Sequence, residues 1–110
     1  DVHWYQFGLL LEGLLPLRFY YWLLRRRPSL IRYLQRNQAV IIGEWSIVLS
    51  AKTLRHHPQR SHEAMMDEHG RRQLKAYAQA DGWFYWSYKT LTRGTWNFRS
   101  LVEDGRLKLP

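Results

Sequence analysis

A continuous apolar run, residues 39–42 (AVII), is followed directly by Gly43 and Glu44. Because every position in the run is apolar, both faces of a strand built from it would be buried. Such strands are typical of parallel sheets covered on both faces, whereas antiparallel strands commonly alternate apolar and polar residues. The run therefore predicts a parallel strand over residues 39–44 with a carboxylate at its carboxyl end.

Two further segments have the composition of strands. Residues 1–7 (DVHWYQF) are rich in aromatic side chains, and residues 83–88 (WFYWSY) follow Asp81-Gly82, which is a stop signal for the preceding helix. Helix-like segments separate the three strands and follow the last one. This alternation predicts parallel βα units, paired in chain order with right-handed crossovers and with the helices on one face.

The helix signals predict where those segments begin and break. The first helix is expected from about Pro16, and Pro28 is expected to interrupt it, because proline lacks an N–H group and clashes with the preceding turn. Ser29 then suits the N-cap of a second helical piece. Residues 50–60 are polar and predict a loop.

The next helix is expected from Ser61 through Ala80, and a short helix near residues 98–104 is expected to finish the chain. Gly70 lies in the middle of the longer helix, where it weakens the helical signal. The predicted buried stripe of this helix is Met65, Leu74, Tyr77 and Ala78.

The basic character of the chain is a weak guide to its partner. Its 17 Lys and Arg exceed its 9 Asp and Glu, which would suit nucleic acid or a membrane surface. No nucleic-acid-binding motif accompanies the charge, so a solvated helix face is favoured and no nucleic-acid partner is expected. Glu12, Gly13, Pro16 and Arg18 interrupt the apolar segment 9–24, which disfavours a spanning helix. An interfacial segment stays open as an alternative.

Metal chemistry has little support. The absence of cysteine excludes a disulfide framework, a catalytic thiol and any Cys-based zinc site. Histidines 56, 57, 62 and 69 lie near two carboxylates, but their spacing matches no zinc pattern, and His62-Glu63 lacks the second histidine of His-Glu-x-x-His. We expect this region to be a solvated loop and helix start, with no metal and no cofactor.

Polar groups fall at the carboxyl ends of the predicted strands. Residues i and i+2 of a strand share a face, so His3 and Tyr5 point the same way. By the same rule Glu44 is expected on the face that carries Val40 and Ile42. Taken alone, such residues more often have a structural role than a catalytic one.

Trp86, in the third predicted strand, shares a face with Phe84 and Tyr88 by the same alternation. Parallel strands bring their carboxyl ends to one edge, which is where α/β sheets and barrels place their sites. The joint pattern of a histidine, a tyrosine, a glutamate and a tryptophan at that edge predicts a functional site.

Three motifs resemble glycoside hydrolase family 5, most closely its exo-β-1,3-glucanase-like members. Residues 43–46 (GEWS) are similar to the family's nucleophile strand, and residues 3–5 (HWY) to the His-x-Tyr motif of its sixth barrel strand. Residues 82–90 (GWFYWSYKT) resemble its eighth strand, and Trp96 matches a tryptophan ten residues further on. The motifs occur in this order and span nearly the whole chain.

The resemblance implies one partial domain over residues 1–110, formed by the last three βα units, strands 6 to 8, of a TIM (β/α)8 barrel. It implies the C-terminal part of a retaining β-glycosidase that hydrolyses a β-glucan or β-glucoside. Glu44 maps onto the nucleophile, and His3 and Tyr5 onto residues that position the substrate and hold the nucleophile. Trp86 and Trp96 map onto the sugar-binding positions.

The chain also departs from the family. The acid/base glutamate of the family follows an asparagine on the fourth strand, and no Asn-Glu pair occurs here. Related glucanases often have Lys-Thr-Glu after the eighth strand, where this chain has Lys89-Thr90-Leu91. The isolated chain is therefore expected to be inactive. A non-catalytic carbohydrate-binding or assembly fragment is the alternative.

The length of the chain limits what it can enclose. A (β/α)8 barrel takes about 250 residues, so 110 residues cannot close one. Open sheet edges and an exposed face carrying Val40, Ile42 and Phe84 would remain. Such surfaces predict self-association or pairing with the missing part of the barrel.

Overall fold

The computed structural model describes residues 16–110. The elements in chain order are α1 (Leu17–Leu34), β1 (Ile41–Trp45), α2 (Ala51–Arg55), α3 (His62–Tyr77), β2 (Gly82–Tyr85) and α4 (Phe98–Glu103). The predicted first strand over residues 1–7, with His3 and Tyr5, lies outside the described residues. No helix within the described part of the chain is long and apolar enough to cross a membrane.

The two described strands form a parallel pair. Ile41 lies opposite Gly82, and Trp45 lies opposite Tyr85. The segment between them contains α2 and α3, as a parallel connection requires. The prediction that residues 39–44 and 83–88 pair in parallel is confirmed.

A β-bulge interrupts the register inside β1. Ile42 is paired with Trp83, whereas Glu44 is paired with Phe84, so Gly43 is an extra residue on the β1 side. An extra residue shifts the alternation of side chains by one position. Glu44 therefore lies on the face opposite to that of Ile42.

Because of the bulge, the side chains on each face of the sheet differ from those predicted. Val40 and Ile42 are buried in the core and do not form an exposed face with Glu44. The exposed face instead carries Ile41 and Phe84, whose side chains are 42% and 64% exposed. Of the three residues predicted to be exposed on this face, only Phe84 is exposed.

β2 is shorter than predicted, because it ends at Tyr85 and not at Tyr88. Beyond the end of β2, the backbone forms hydrogen bonds with the segment before α4. The Ser87 N–H donates to the Trp96 carbonyl at 3.1 Å, and the Ser87 carbonyl accepts from the Phe98 N–H at 3.0 Å. These bonds tie residue 87 to the start of α4.

α1 continues through Pro28, so the predicted interruption and the Ser29 N-cap are wrong. The Ser29 hydroxyl accepts from the Arg32 guanidinium at 3.3 Å. Leu24, before the proline, and Ile31, after it, are both buried in the same core. Because one apolar stripe packs on both sides of Pro28, tertiary contacts hold the two halves in line despite the missing hydrogen bond.

α3 begins as predicted, with the Ser61 hydroxyl accepting from the Ala64 N–H at 3.3 Å. Met65, Leu74 and Tyr77 are buried as predicted, but Ala78 is exposed and Ala76 is buried in its place. Ala78 is the C-cap of α3, where the chain turns away from the core.

The predicted loop over residues 50–60 contains a short helix, α2. The Ser50 hydroxyl accepts from the Thr53 N–H at 3.1 Å and so caps this helix. A serine N-cap satisfies a backbone donor that would otherwise lack a partner. α2 buries only Thr53, so its sequence lacks the apolar stripe from which a helix would be predicted.

Gly70 allows α3 to approach the segments on either side of it. A Cβ atom at residue 70 would lie 2.3 Å from Cγ2 of Ile47 and 2.9 Å from Cδ2 of Leu107. Both neighbours are fully buried, which leaves them little space to move. The glycine that weakens the helical signal is therefore a packing requirement.

We expect Gly70→Ala to lower the free energy of unfolding by about 1–3 kcal/mol through overpacking. Alanine would otherwise stabilise a helix interior by about 1 kcal/mol relative to glycine. Urea denaturation measures the change. Ala64→Gly, at an exposed position of the same helix, is the control and should show only the loss of helix propensity. A more stable Gly70→Ala variant would contradict the close approach.

His69 is buried, in contrast to the prediction of a solvated histidine region. Its ring centroid lies 5.4 Å from that of Tyr20 and 5.9 Å from that of Tyr21, on α1. Burial, together with the charge of Arg27, lowers the pKa of His69 to about 3. His56 and His62 are exposed. No group of three His, Asp or Glu within residues 16–110 is arranged to hold a metal ion.

We expect His69 to make the fold sensitive to acid. Its pKa is about 6.5 when the chain is unfolded and about 3 when it is folded, so the unfolded chain binds an extra proton between these values. Stability should fall as pH decreases from about 6.5 toward 3. His69→Phe should flatten this dependence, measured by thermal unfolding across that range. His62→Gln is the exposed control, and an unchanged slope in His69→Phe would contradict the assignment.

Candidate active site at the carboxyl end of the sheet

Glu44 lies at the carboxyl end of β1, in an open groove of about 700 Å³. Ile41, Phe84, Trp86 and Ser87 are among the residues that line the groove with it. The bulge at residues 42–44 is responsible for this location, because it turns Glu44 away from the core. The groove extends along the open face of the sheet, from Ala39 and Ile41 around the start of β1 to Trp86 and Ser87 after the end of β2.

The Glu44 carboxylate has no hydrogen-bond or ion-pair partner within residues 16–110. Every other Asp or Glu side chain in this range has one. Arg60 and Arg72 contact Glu68; Arg106 contacts Glu63 and Asp67; Arg93 contacts Glu103 and Asp104. A carboxylate held without a protein partner at a groove is available to a ligand.

Asp81 has a structural role at the opposite end of the sheet. Its Oδ2 atom accepts from the Val40 N–H at 2.7 Å and from the Gln35 side chain at 3.0 Å. These donors lower the pKa of Asp81, the bond from Val40 having the largest effect. Asp81 is therefore occupied in joining α1 and β2 to the start of β1.

Two tryptophans predicted to bind sugar lie beside the groove. Trp86 is 56% exposed and Trp96 is 50% exposed, and both border a cleft of about 150 Å³ with Trp45 and Ser46. The peptide bond between Trp86 and Ser87 is cis. An exposed indole face offers apolar area to the C–H face of a sugar ring. The structure thus brings Glu44 and Trp86 into one groove and Trp96 into the adjoining cleft.

Tyr85 holds the segment that carries Trp96, a role that sequence reasoning missed. Its hydroxyl accepts from the Ile47 N–H at 3.2 Å and donates to the Thr95 carbonyl. Burial raises the pKa of Tyr85 to about 12, so the hydroxyl stays protonated and can donate. The buried hydroxyl links β2 to two loops beside the groove.

Asn97 also fixes this segment and was missed. Its Oδ1 atom accepts from the Ser100 N–H at 3.0 Å, and its amide donates to the carbonyls of Thr90 and Thr92. Asparagine directly before a predicted helix is an N-cap signal, so this residue could have been found. The hydrogen bonds from its amide to the two carbonyls depend on the fold of the loop, and no local sequence pattern predicts them.

The structure therefore describes the positions of some, but not all, of the predicted site residues. Glu44 and Trp86 line one groove, and Trp96 lines the adjoining cleft with Trp86, whereas His3 and Tyr5 lie outside the described residues. Tyr88, predicted to share a strand face with Trp86, lies beyond the end of β2 and is 65% exposed.

Several curated proteins are similar to the chain over part of its length. It is 36% identical over 74 residues to glucan 1,3-beta-glucosidase 3 of Schizosaccharomyces pombe. This match covers 64% of the chain and 16% of that protein. It is 42% identical over 50 residues to the glucan 1,3-beta-glucosidase of Yarrowia lipolytica, covering 44% of the chain and 10% of that protein. For the enzyme of Kluyveromyces lactis the identity is 45% over 38 residues, 34% of the chain and 9% of the enzyme.

These matches relate the chain to glucan glycosidases. The chain spans between 9% and 16% of the lengths of these relatives. No protein-family model matches the chain. No solved structure matches it either.

We expect Tyr85→Phe to lower the free energy of unfolding by about 1–3 kcal/mol, because the buried Ile47 N–H would lose its acceptor. Chemical denaturation measures the loss. Tyr88→Phe removes an exposed hydroxyl and serves as the matched control, with a change close to zero. Equal effects of the two substitutions would show that the Tyr85 hydroxyl does not link the loops.

Proposed function

We propose that the chain is the C-terminal part of a retaining β-glycosidase of glycoside hydrolase family 5, of the glucan β-glucosidase type. The observation that carries the proposal is the Glu44 carboxylate at the end of a parallel strand, which has no partner within residues 16–110 and lies in a groove with an exposed tryptophan. The similarity to glucan 1,3-beta-glucosidases supports a β-glucan or β-glucoside as the substrate class.

In this proposal Glu44 is the nucleophile. Its carboxylate oxygen attacks the anomeric carbon, and the bond from that carbon to the leaving-group oxygen breaks while a second carboxylic acid protonates that oxygen. Water then hydrolyses the resulting glycosyl ester, with the second residue acting as base. A carboxylate without a competing cation keeps its electron pairs available for this attack.

The second carboxylic acid must come from another part of the protein. A retaining enzyme places its two carboxyl groups about 5–5.5 Å apart. The remaining carboxylates of residues 16–110 are occupied by arginines or by the start of β1. The isolated chain is therefore expected to hydrolyse nothing.

The missing partner in this proposal is the rest of a (β/α)8 barrel. The parallel pairing of β1 and β2 and the helical connection between them suit two successive barrel strands. Ile41 and Phe84 are large and apolar, and in a closed barrel they would face its packed interior. Self-association through the same face is the outcome expected of the chain alone.

We expect Glu44→Gln in the full-length protein to reduce hydrolysis of an activated aryl β-glucoside by at least about a thousandfold. The amide retains the shape of the side chain but cannot form the glycosyl ester. Sugar binding should remain detectable. Glu63→Gln, at an exposed carboxylate on α3, is the matched control and should retain activity.

A mechanism-based fluorosugar tests the same assignment directly, because it traps the covalent ester. Mass spectrometry should find the label on Glu44. Label on another residue would contradict the nucleophile assignment. A full-length protein that binds glucan but neither hydrolyses it nor takes up label would instead support the non-catalytic alternative.

A further inference from the structure

A second groove, of about 730 Å³, lies between α1 and α3. None of the residues that line it also lines the groove of Glu44. α3 packs against the sheet through Tyr77, whose ring contacts Trp45 with centroids 5.5 Å apart. The volume is in the range of pockets that bind small organic ligands.

Cationic side chains dominate the lining of this groove. Arg25 and Arg32 come from α1, and Arg71 and Lys75 come from α3. None of these four contacts a carboxylate in the described part of the chain, and α1 contains no acidic residue. Four positive charges without a carboxylate partner on two facing helices produce a strong local attraction for anions.

The groove contains one acidic residue, Glu68, whose charge is already compensated. Its two oxygens accept from Arg60 at 2.6 Å and from Arg72 at 2.8 Å. These bonds hold the pKa of Glu68 below its usual value, so it stays ionised and paired. Glu68 therefore positions Arg72 without cancelling the charge of the other cations.

Tyr21 adds a polar group to the groove. Its side chain is buried, and the Arg72 guanidinium lies 4.3 Å from its ring centroid. Its hydroxyl has no hydrogen-bond partner among the residues that the structure describes. Burial raises the pKa of Tyr21, so the hydroxyl remains a donor. A buried donor without an acceptor carries a desolvation cost that a ligand oxygen would remove.

We propose that this groove binds a phosphate monoester. The guanidinium groups of Arg25, Arg32 and Arg71 match phosphate oxygens in a forked geometry, and Lys75 adds a point charge. The lining also includes Leu24, Pro28 and Ala76, which offer apolar surface to the organic body of such a ligand. An inorganic ion alone would leave that surface without a contact.

Isothermal titration calorimetry on the full-length protein tests the proposal with two sources of phosphate monoester. Glucose 6-phosphate represents a soluble ester, and phosphatidylcholine vesicles with phosphatidylinositol 4-phosphate represent a lipid headgroup. Glucose and pure phosphatidylcholine vesicles, which have no net charge and carry no phosphate monoester, are the controls. We expect at least one of the two monoesters to bind and both controls to fail. Lack of binding by both monoesters, or equal binding by the matched control, would overturn the proposal.

Substitutions locate the binding site. Arg71→Gln with Lys75→Gln should weaken the affinity by about tenfold or more, because charge-assisted hydrogen bonds are lost. Tyr21→Phe retains the ring under Arg72 and should weaken it by about threefold or more. Lys52→Gln with Arg55→Gln removes the same charge from α2, outside the groove, and should leave the affinity unchanged. Equal weakening by the two double variants would show general charge attraction and overturn the site.

These variants should retain the hydrolytic activity of the protein, because the basic groove and the Glu44 groove share no residue. Aryl glucoside turnover and the thermal unfolding midpoint therefore report whether each variant is folded. The two proposals fail separately. If the unsubstituted protein hydrolyses the glucoside but binds no phosphate monoester, only the basic groove is contradicted. If it binds the monoester but does not hydrolyse the glucoside, only the active site is contradicted.

Discussion

The contacts of Trp45 hold the described part of the chain together. This side chain is fully buried and meets Tyr77 of α3 and Trp83 and Tyr85 of β2 edge-on, with ring centroids 5.0–5.5 Å apart. Edge-to-face aromatic pairs add about 0.5–1.5 kcal/mol each beyond the burial of their area. Trp45, at the end of β1, therefore packs against both the second strand and the longer connecting helix.

The position of Glu44 follows from the burial of Trp45. Ile42 and Trp45 are both fully buried, although they are three positions apart and would face opposite sides of a regular strand. The bulge at Gly43 resolves this conflict by adding one residue between them. With both apolar side chains in the core, Glu44 lies on the other face beside Ile41. The packing of the core therefore orients the candidate nucleophile.

The two grooves differ in the chemistry that they offer. The groove of Glu44 combines exposed aromatic surface with a carboxylate that has no partner within residues 16–110, which suits a neutral sugar and nucleophilic attack. The groove between α1 and α3 combines a buried tyrosine hydroxyl with four cations that contact no carboxylate in the same range, which suits an anion. α3 contributes to the core and to the second groove with different residues, because Tyr77 contacts Trp45 while Arg71 and Lys75 line the groove.

Local sequence was enough for features that depend on neighbouring residues. The apolar run at 39–42, the helix signal at Ser61 and the Gly82 boundary predicted a parallel strand, a helix start and a second strand, because propensity and capping act within a few residues. Three features needed the tertiary structure: the helix through Pro28, the bulge at Gly43 and the burial of His69. Each depends on packing between segments distant in sequence, which opposes the local preference and outweighs it. The sequence by itself determined the strand end at which Glu44 lies, and only the packed core decided the face to which it points.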